Sequence, residues 1–226
     1  MKTFRNAIVA AALAALFAVP FVGGSGGTSA SAQAPASKVS YAPVPGGEYK
    51  IDPAHSLIGF AVRHLEINWV EGRFKDFSGT IRFDEKDVTK SSVEFSAKVA
   101  SVDTEVEARD KHLRTADFFD AEKYPEMTFK STGVERKGKD AYVLHGDLTI
   151  KGVTKPVALP FTLTGAVKDP WGNTRFGIEA QTKINRRDFQ INYGNAFAGG
   201  GLDVGNEVTI SLRLEAVQPA PKPAGR

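Results

Sequence analysis

From residue 157 to residue 167 the chain alternates without a break: Val157, Leu159, Phe161, Leu163, Gly165 and Val167 are separated by Ala158, Pro160, Thr162, Thr164 and Ala166. A period of two marks a strand with one face buried and one face in water. The same rule holds for Val93, Phe95, Ala97 and Val99 around Glu94, Ser96 and Lys98, and for Val208, Ile210, Leu212 and Leu214 around Thr209, Ser211 and Arg213. Further strands are predicted over 58–62, 77–83, 127–131, 142–150 and 176–184, which makes eight in all.

Between the strands the sequence reads as turns. Residues 133–140 are polar and glycine-bearing, as suits a hairpin, and Asp169-Pro170-Trp171-Gly172-Asn173 forms another link. Long crossover helices are missing from most connections, so the sheet is predicted to be mainly antiparallel. Eight such strands can bury their apolar face as a two-sheet sandwich or as a closed barrel. The barrel is preferred, because closure also removes the edge strands. One segment breaks the pattern: Thr104-Glu105-Val106-Glu107 has the form of a capping box and predicts a helix to about residue 115. Val106, Arg109, Asp110 and Leu113 share a face of that helix, and Phe118 and Phe119 follow before Tyr124-Pro125 forces extension. The helix and its two phenylalanines could plug or gate one barrel end.

The first residues change the picture of where the protein works. Lys2 and Arg5 precede an apolar run at 7–22, and Ala32-Gln33-Ala34 supplies small residues for cleavage, so residues 1–34 read as an export signal. The run falls short of the ~20 residues that span a bilayer, and no later segment is apolar enough to do so. Without cysteine a bacterial lipid anchor cannot be attached, and no disulfide can staple the fold, so its stability must come from a core. Residues 35–47 read as a flexible linker, 48–217 as one domain, and 218–226 as a proline-rich tail. Loss of two basic groups with the signal lowers the net charge from +3 to +1, which gives no electrostatic case for nucleic-acid binding.

Catalytic motifs do not survive their context. Gly23-Gly24-Ser25-Gly26-Gly27 has the form of a nucleophile elbow but lies in the signal, where no strand and helix flank it. Residues 133–139 have phosphate-loop spacing, yet Asp140 stands where a hydroxyl should ligate magnesium. His55, His64, His112 and His145 are scattered rather than spaced as a zinc site. His55 in a turn and His145 beside Asp147 read as local and surface groups, and Asp117 and Asp120 as caps of local structure. Counting by twos from Ile58 places His64 on the inward side at a barrel opening, as a rim histidine or as a partner for a ligand head group. Alternation alone leaves the interior open between a packed core and a one-ligand cavity.

The chain also resembles a known family, the YceI-like or polyisoprenoid-binding proteins, from about Tyr49 to Ala216. The likeness runs through Asp52-Pro53-Ala54-His55-Ser56, the strand from Phe60 to His64, Gly72-Arg73-Phe74, Phe77-Ser78-Gly79 and Arg109-Asp110-Lys111-His112-Leu113-Arg114. It continues through Asp117-Phe118-Phe119-Asp120, Tyr124-Pro125, the segment Gly146 to Thr154, and Val204-Gly205-Asn206-Glu207-Val208. Asn206 stands where an acidic residue is common. The resemblance implies an all-β, extended, eight-stranded, lipocalin-like antiparallel barrel with one or two short helices. It implies a periplasmic protein that encloses an isoprenoid lipid, a prenylated quinone-like molecule or another long-chain amphiphile; no other cofactor is expected, and the scattered histidines give no metal site.

The expectation is therefore a carrier rather than an enzyme, without stable membrane insertion; whether it forms a homodimer is left open. By inward parity the ligand would meet Phe60, Val62, Ile81, Phe83, Phe95, Leu148, Phe161, Leu163 and Ile178, with Phe118 and Phe119 near the mouth and His64 at the head group. A bulge would reverse the parity downstream of it. Two other readings remain: a hydrolase or isomerase using His64 or His55 on an amphiphilic lipid in the same cavity, and a stress-protective module that binds proteins through an apolar outer patch.

Overall fold

The computed structural model describes residues 41–139, 141–198 and 200–220; the predicted export signal at 1–34 lies outside them, as does the end of the tail. The strands are β1 (Gly47–Ile51), β2 (Leu57–His64), β3 (Asn68–Phe74), β4 (Phe77–Phe83), β5 (Ser92–Lys98), β6 (Val102–Asp103), β7 (Glu126–Arg136), β8 (Ala141–Ile150), β9 (Val153–Leu163), β10 (Val167–Lys168), β11 (Thr174–Asn185) and β12 (Val204–Gln218). Every ladder is antiparallel, and β12 pairs with β11 on one side and with β1 and β2 on the other, so the sheet closes on itself.

Three staves of the barrel are interrupted. β1 and β2 are joined by a kink in which the amide of Asp52 donates to Glu215 O and that of Glu215 to Ser56 Oγ. β3 runs into β4 past Lys75 and Asp76, and β5 into β6 past residues 99–101, with Lys75 N to Ser101 O and Lys98 N to Asp76 O keeping the two staves joined. Counted this way the wall is an eight-stave meander, and each of the eight segments predicted from alternation falls in a different stave. β10 is a short addition paired only with β11.

The departures from expectation have local causes. β3 was not foreseen because Gly72 occupies an inward position: a side chain there would come within 2.4 Å of the Phe60 ring, so the glycine hides the periodicity while making room for an aromatic. The strand predicted through residue 167 stops at Leu163, where Thr164 Oγ1 accepts from the amide of Gly177, and Ala166 instead pairs with Ala42. Residues 41–46, within the stretch read as a linker, lie against the barrel, with Val44 buried. The hairpin link predicted at 133–140 is shorter, because β7 continues to Arg136 after a bulge between Ser131 and Gly133.

The helix is shorter too. α1 spans Glu107–Leu113, and its N-cap, Val106, makes no side-chain bond, so the capping box is not formed. The buried carboxylate of Asp110 takes its place. Both the amide and the hydroxyl of Thr104 donate to Asp110 Oδ1, at 2.9 and 2.6 Å, and Arg109 Nε donates to Thr104 Oγ1 at 2.7 Å. A buried carboxylate without such donors would be costly, which explains why it outcompetes the solvent-facing Glu107. Among the described residues no helix is long and apolar enough to cross a membrane.

The two ends of the barrel are covered differently. At the first end the β2–β3 hairpin, the segment 104–125 with α1, the β8–β9 hairpin and the segment 186–203 come together. Lys151, paired with Gly152 in a two-residue turn with both φ angles positive, donates from Nζ to Ala116 O at 2.7 Å and Gln190 O at 3.4 Å. At the second end, Tyr49 and Phe176 meet edge to face at 4.9 Å between centroids, with Phe83 at 5.6 Å from Phe176.

Candidate functional site

The inward faces of the staves enclose a cavity of about 230 Å³ that runs between the two covered ends. Its wall is apolar almost throughout. Phe60 and Val62 come from β2, Ile81 and Phe83 from β4, Phe95 from β5, Leu148 from β8, Phe161 and Leu163 from β9, and Ile178 from β11; all of these parity-derived positions line it. Phe118 and Phe119, expected near the mouth, line it from the segment after α1. Phe118 is held edge-on by His112 at 5.1 Å and lies 4.7 Å from Tyr193, while Phe119 packs on Phe74 at 5.7 Å. The pair therefore forms part of the cover at the first end.

His64 is the exception. It is exposed and does not line the cavity. It lies where β2 turns, opposite Asn68 and Val204, beside the register shift between Val204 and Val208 and next to Leu65 and Glu66, which both adopt positive φ. Alternation gives the direction of a side chain but not where the lumen stops.

Other wall residues escaped the sequence reading. Phe74 lies in the unforeseen β3, and Phe189 and Ile191 lie in a connection without periodicity. Val134 was lost to the bulge in β7: Met127 and Phe129 face inward at odd positions before it, and Val134 at an even position after it. Leu144 shares the parity of Leu148, and the same counting would have found it. Gly146 has that parity too, and a Cβ there would come within 2.3 Å of the Phe129 ring, so the glycine lets that ring lie across the wall.

The polar members of the lining are Ser91, Thr182 and Arg186, and each is engaged with the chain itself. Ser91 Oγ accepts from the Asp84 amide at 3.0 Å, and Thr182 Oγ1 donates to Ala158 O at 2.8 Å. Arg186 is only 4% exposed and donates to four carbonyls: from Nε to Gly205, from Nη1 to Ile191 and Tyr193, and from Nη2 to Val204, at 2.5–2.8 Å. Burial pushes its pKa down from the ordinary guanidinium value. Its role is to tie the segment 191–205 onto the barrel. Next to it Arg187 Nε donates to Asn206 Oδ1 at 2.6 Å, so the asparagine that departs from the family pattern still serves as an acceptor.

A second polar cluster lies on the outer wall near the second end. Asp52, His55 and Glu215 come within 4.8 Å of one another. Arg175 already occupies the centre of this group, with Nη1 donating to Asp52 at 2.7 Å and to Glu215, and Nε to Asp169 at 2.8 Å. A metal cation would have to displace the guanidinium. Hydrogen bonds from His55 and Arg175 hold the Asp52 carboxyl down at about 2. For Asp169, burial works against the charge, but donors from Arg175, Asn173 and Trp171 outweigh it and again give about 2. The exposed His55 imidazole is raised by its bond to Asp52. This cluster fastens the β1–β2 kink to β11 and β12 and does not face the cavity.

A closed eight-stave antiparallel barrel with an apolar lumen and a helical cover places the protein in the lipocalin-like class. Comparison with known proteins makes this specific: the model of the YceI-like domain matches residues 49–216, and the chain belongs to that family. It is 50% identical over 145 residues to UPF0312 protein plu2095 of Photorhabdus laumondii, covering 63% of this chain and 75% of that one. It is 44% identical over 173 residues to Protein YceI of Escherichia coli, covering 76% and 87%. Among solved structures, Burkholderia cenocepacia BcnA superposes with a TM-score of 0.63 at 28% identity, over 73% of this chain and 98% of that one. A polyisoprenoid binding domain from Saccharophagus degradans, implicated in plant cell wall breakdown, shares the fold with a TM-score of 0.59 at 17% identity, over 76% and 98%.

Proposed function

We propose that this protein is an exported carrier that holds one long-chain lipid, of isoprenoid type or a similar amphiphile such as a prenylated quinone, in its barrel. The carrying observation is the lumen: a cavity walled by apolar side chains whose few polar groups are already bonded to backbone. Such a wall offers an apolar chain burial and offers a reacting group little to work with, since among the described residues neither a histidine nor a carboxylate lines it. That favours binding over catalysis. The description of the Saccharophagus domain as polyisoprenoid binding agrees in kind. The periplasm follows from reading residues 1–34 as an export signal.

Energetics suit a carrier. Each methylene moved from water into the lumen contributes roughly 0.8 kcal/mol, so ten contribute about 8 kcal/mol before ordering costs. A bilayer offers the same chain nearly the same burial, so transfer from membrane to barrel is close to neutral and the cargo can be released. Native mass spectrometry of protein purified from its own periplasm, followed by extraction and lipid identification, tests the reading. A stoichiometric prenyl or other long-chain adduct is expected. A bare mass that stays bare after incubation with prenyl lipids would overturn it.

A further inference from the structure

The ladders that join the staves are very unequal. β11 and β12 pair continuously from Thr174↔Gln218 to Asn185↔Glu207, and β8 and β9 from Ala141↔Thr162 to Ile150↔Val153. Between β9 and β11 there are only three pairs: Leu163↔Ile178, Thr162↔Glu179 and Phe161↔Ala180. Continued in the same register, that ladder would set Pro160 against Gln181, Ala158 against Lys183 and Pro156 against Asn185. Those are the positions of β9 whose backbone groups point at β11, as the bond from Thr182 Oγ1 to Ala158 O shows. Proline has no N–H to give. The ladder therefore ends where Pro160 would have to donate, and Pro156 removes a second donor from the same edge. Beyond that point a side chain spans the gap instead of a ladder.

The inner faces along this stretch, Val157, Leu159, Thr182 and Ile184, line the lumen, while Ala158 and Lys183 on the outer face are exposed. Here the barrel wall is one residue thick and almost unlaced. Other gaps are filled. The free edge of β3 is covered by Phe119 against Phe74 and by Thr104 beside Gly72. To lift the cover at the first end would break two bonds of Lys151 and four of Arg186, and to open the second would unpack Tyr49, Phe83 and Phe176. Parting the stretch of seam below Pro160 and Gln181 leaves the three ladder pairs in place and breaks the side-chain bond from Thr182.

We infer that the β9–β11 seam is a lateral portal, through which one long apolar chain slides sideways into and out of the lumen without either barrel end opening. The inference rests on the carrier reading and adds the route of exchange.

The chain has no cysteine, so introduced pairs are unique. Ala158→Cys with Lys183→Cys places thiols across the seam on its outer face, to be closed by oxidation and reopened with reductant. Ala116→Cys with Gln190→Cys, joined by a bismaleimide, locks the cover at the first end. Uptake and release of cis-parinaric acid, whose fluorescence rises in an apolar site, are followed by stopped flow. Oxidising the seam pair should slow both rates by at least about tenfold at unchanged Kd and reductant should restore them, as for a gate outside the binding step. The lid lock should leave both rates unchanged. Pro160→Thr, which returns an N–H to the edge, should slow exchange, and Thr182→Val should quicken it; these keep the test open if the thiol pair fails to fold or to oxidise. Unchanged rates in the oxidised seam variant, or slowing only by the lid lock, overturn the portal. Failure of the unlocked protein to bind cis-parinaric acid or a prenyl alcohol overturns the carrier reading, and the portal with it.

Discussion

The two ends of the barrel cover the same apolar lumen by different physical means. At the first end the connections are long, 104–125 and 186–203, and leave backbone carbonyls that no ladder satisfies. Closure there is by hydrogen bonds from buried or half-buried cations, Arg186 inside and Lys151 above. At the second end most connections are short, and closure is by packing: Tyr49 is fully buried against Phe176, with the segment 41–46 laid over it and the Arg175 ion cluster outside. A long connection can be held by a few donors reaching many acceptors, whereas short turns leave little unsatisfied backbone and rely on side-chain volume.

The contrast can be broken most forcefully at Tyr49. Tyr49→Ala should cost about 3–5 kcal/mol, read from the urea midpoint, because a large buried ring leaves a cavity that short turns cannot collapse to fill. Arg186→Met should cost about 3 kcal/mol and should expose residues 190–205 to amide exchange and proteolysis before the rest, since four carbonyls lose their donor at once. If Arg186→Met instead loosens both ends equally, the first end is not an independent closure.

Acid sharpens the comparison from the other side. Asp52 and Asp169 have folded values of about 2, below the ordinary carboxylate range, so their contribution is complete above roughly pH 4 and is lost as pH falls toward 2. Unfolding followed between pH 5 and 2 should show stability falling over that window, with amide protection at the second end lost first. Arg175→Met should flatten this acid limb, because the two carboxylates then lose their shared cation. The smallest effect is expected for Lys151→Met, about 1 kcal/mol, visible mainly as faster exchange of the amides in the 104–125 and 186–203 segments.

Much of the architecture was legible in the chain because a strand that is wet on one side and dry on the other must alternate, and Val157 to Leu163 or Val208 to Leu214 have no other way to bury their apolar residues. Lumen positions such as Phe60, Phe95 and Phe161 followed from the same counting. Phe74 and Val134 did not, because Gly72 interrupts one pattern and a bulge reverses the other. Nor did Arg186, whose partners are backbone carbonyls 5 to 19 residues away and leave no mark on side-chain periodicity.

Sequence by itself determined one strand of every stave, the inward faces of those strands up to the first bulge, the helical interruption and the absence of disulfides, since each depends on composition and spacing along the chain. Tertiary structure alone decided that the lumen stays hollow, that His64 falls outside it, that Asp110 rather than Glu107 organises α1, and that β9 and β11 are laced for only three pairs. These depend on which groups meet across the barrel, and a one-dimensional pattern gives a residue's direction without giving the partner it will reach.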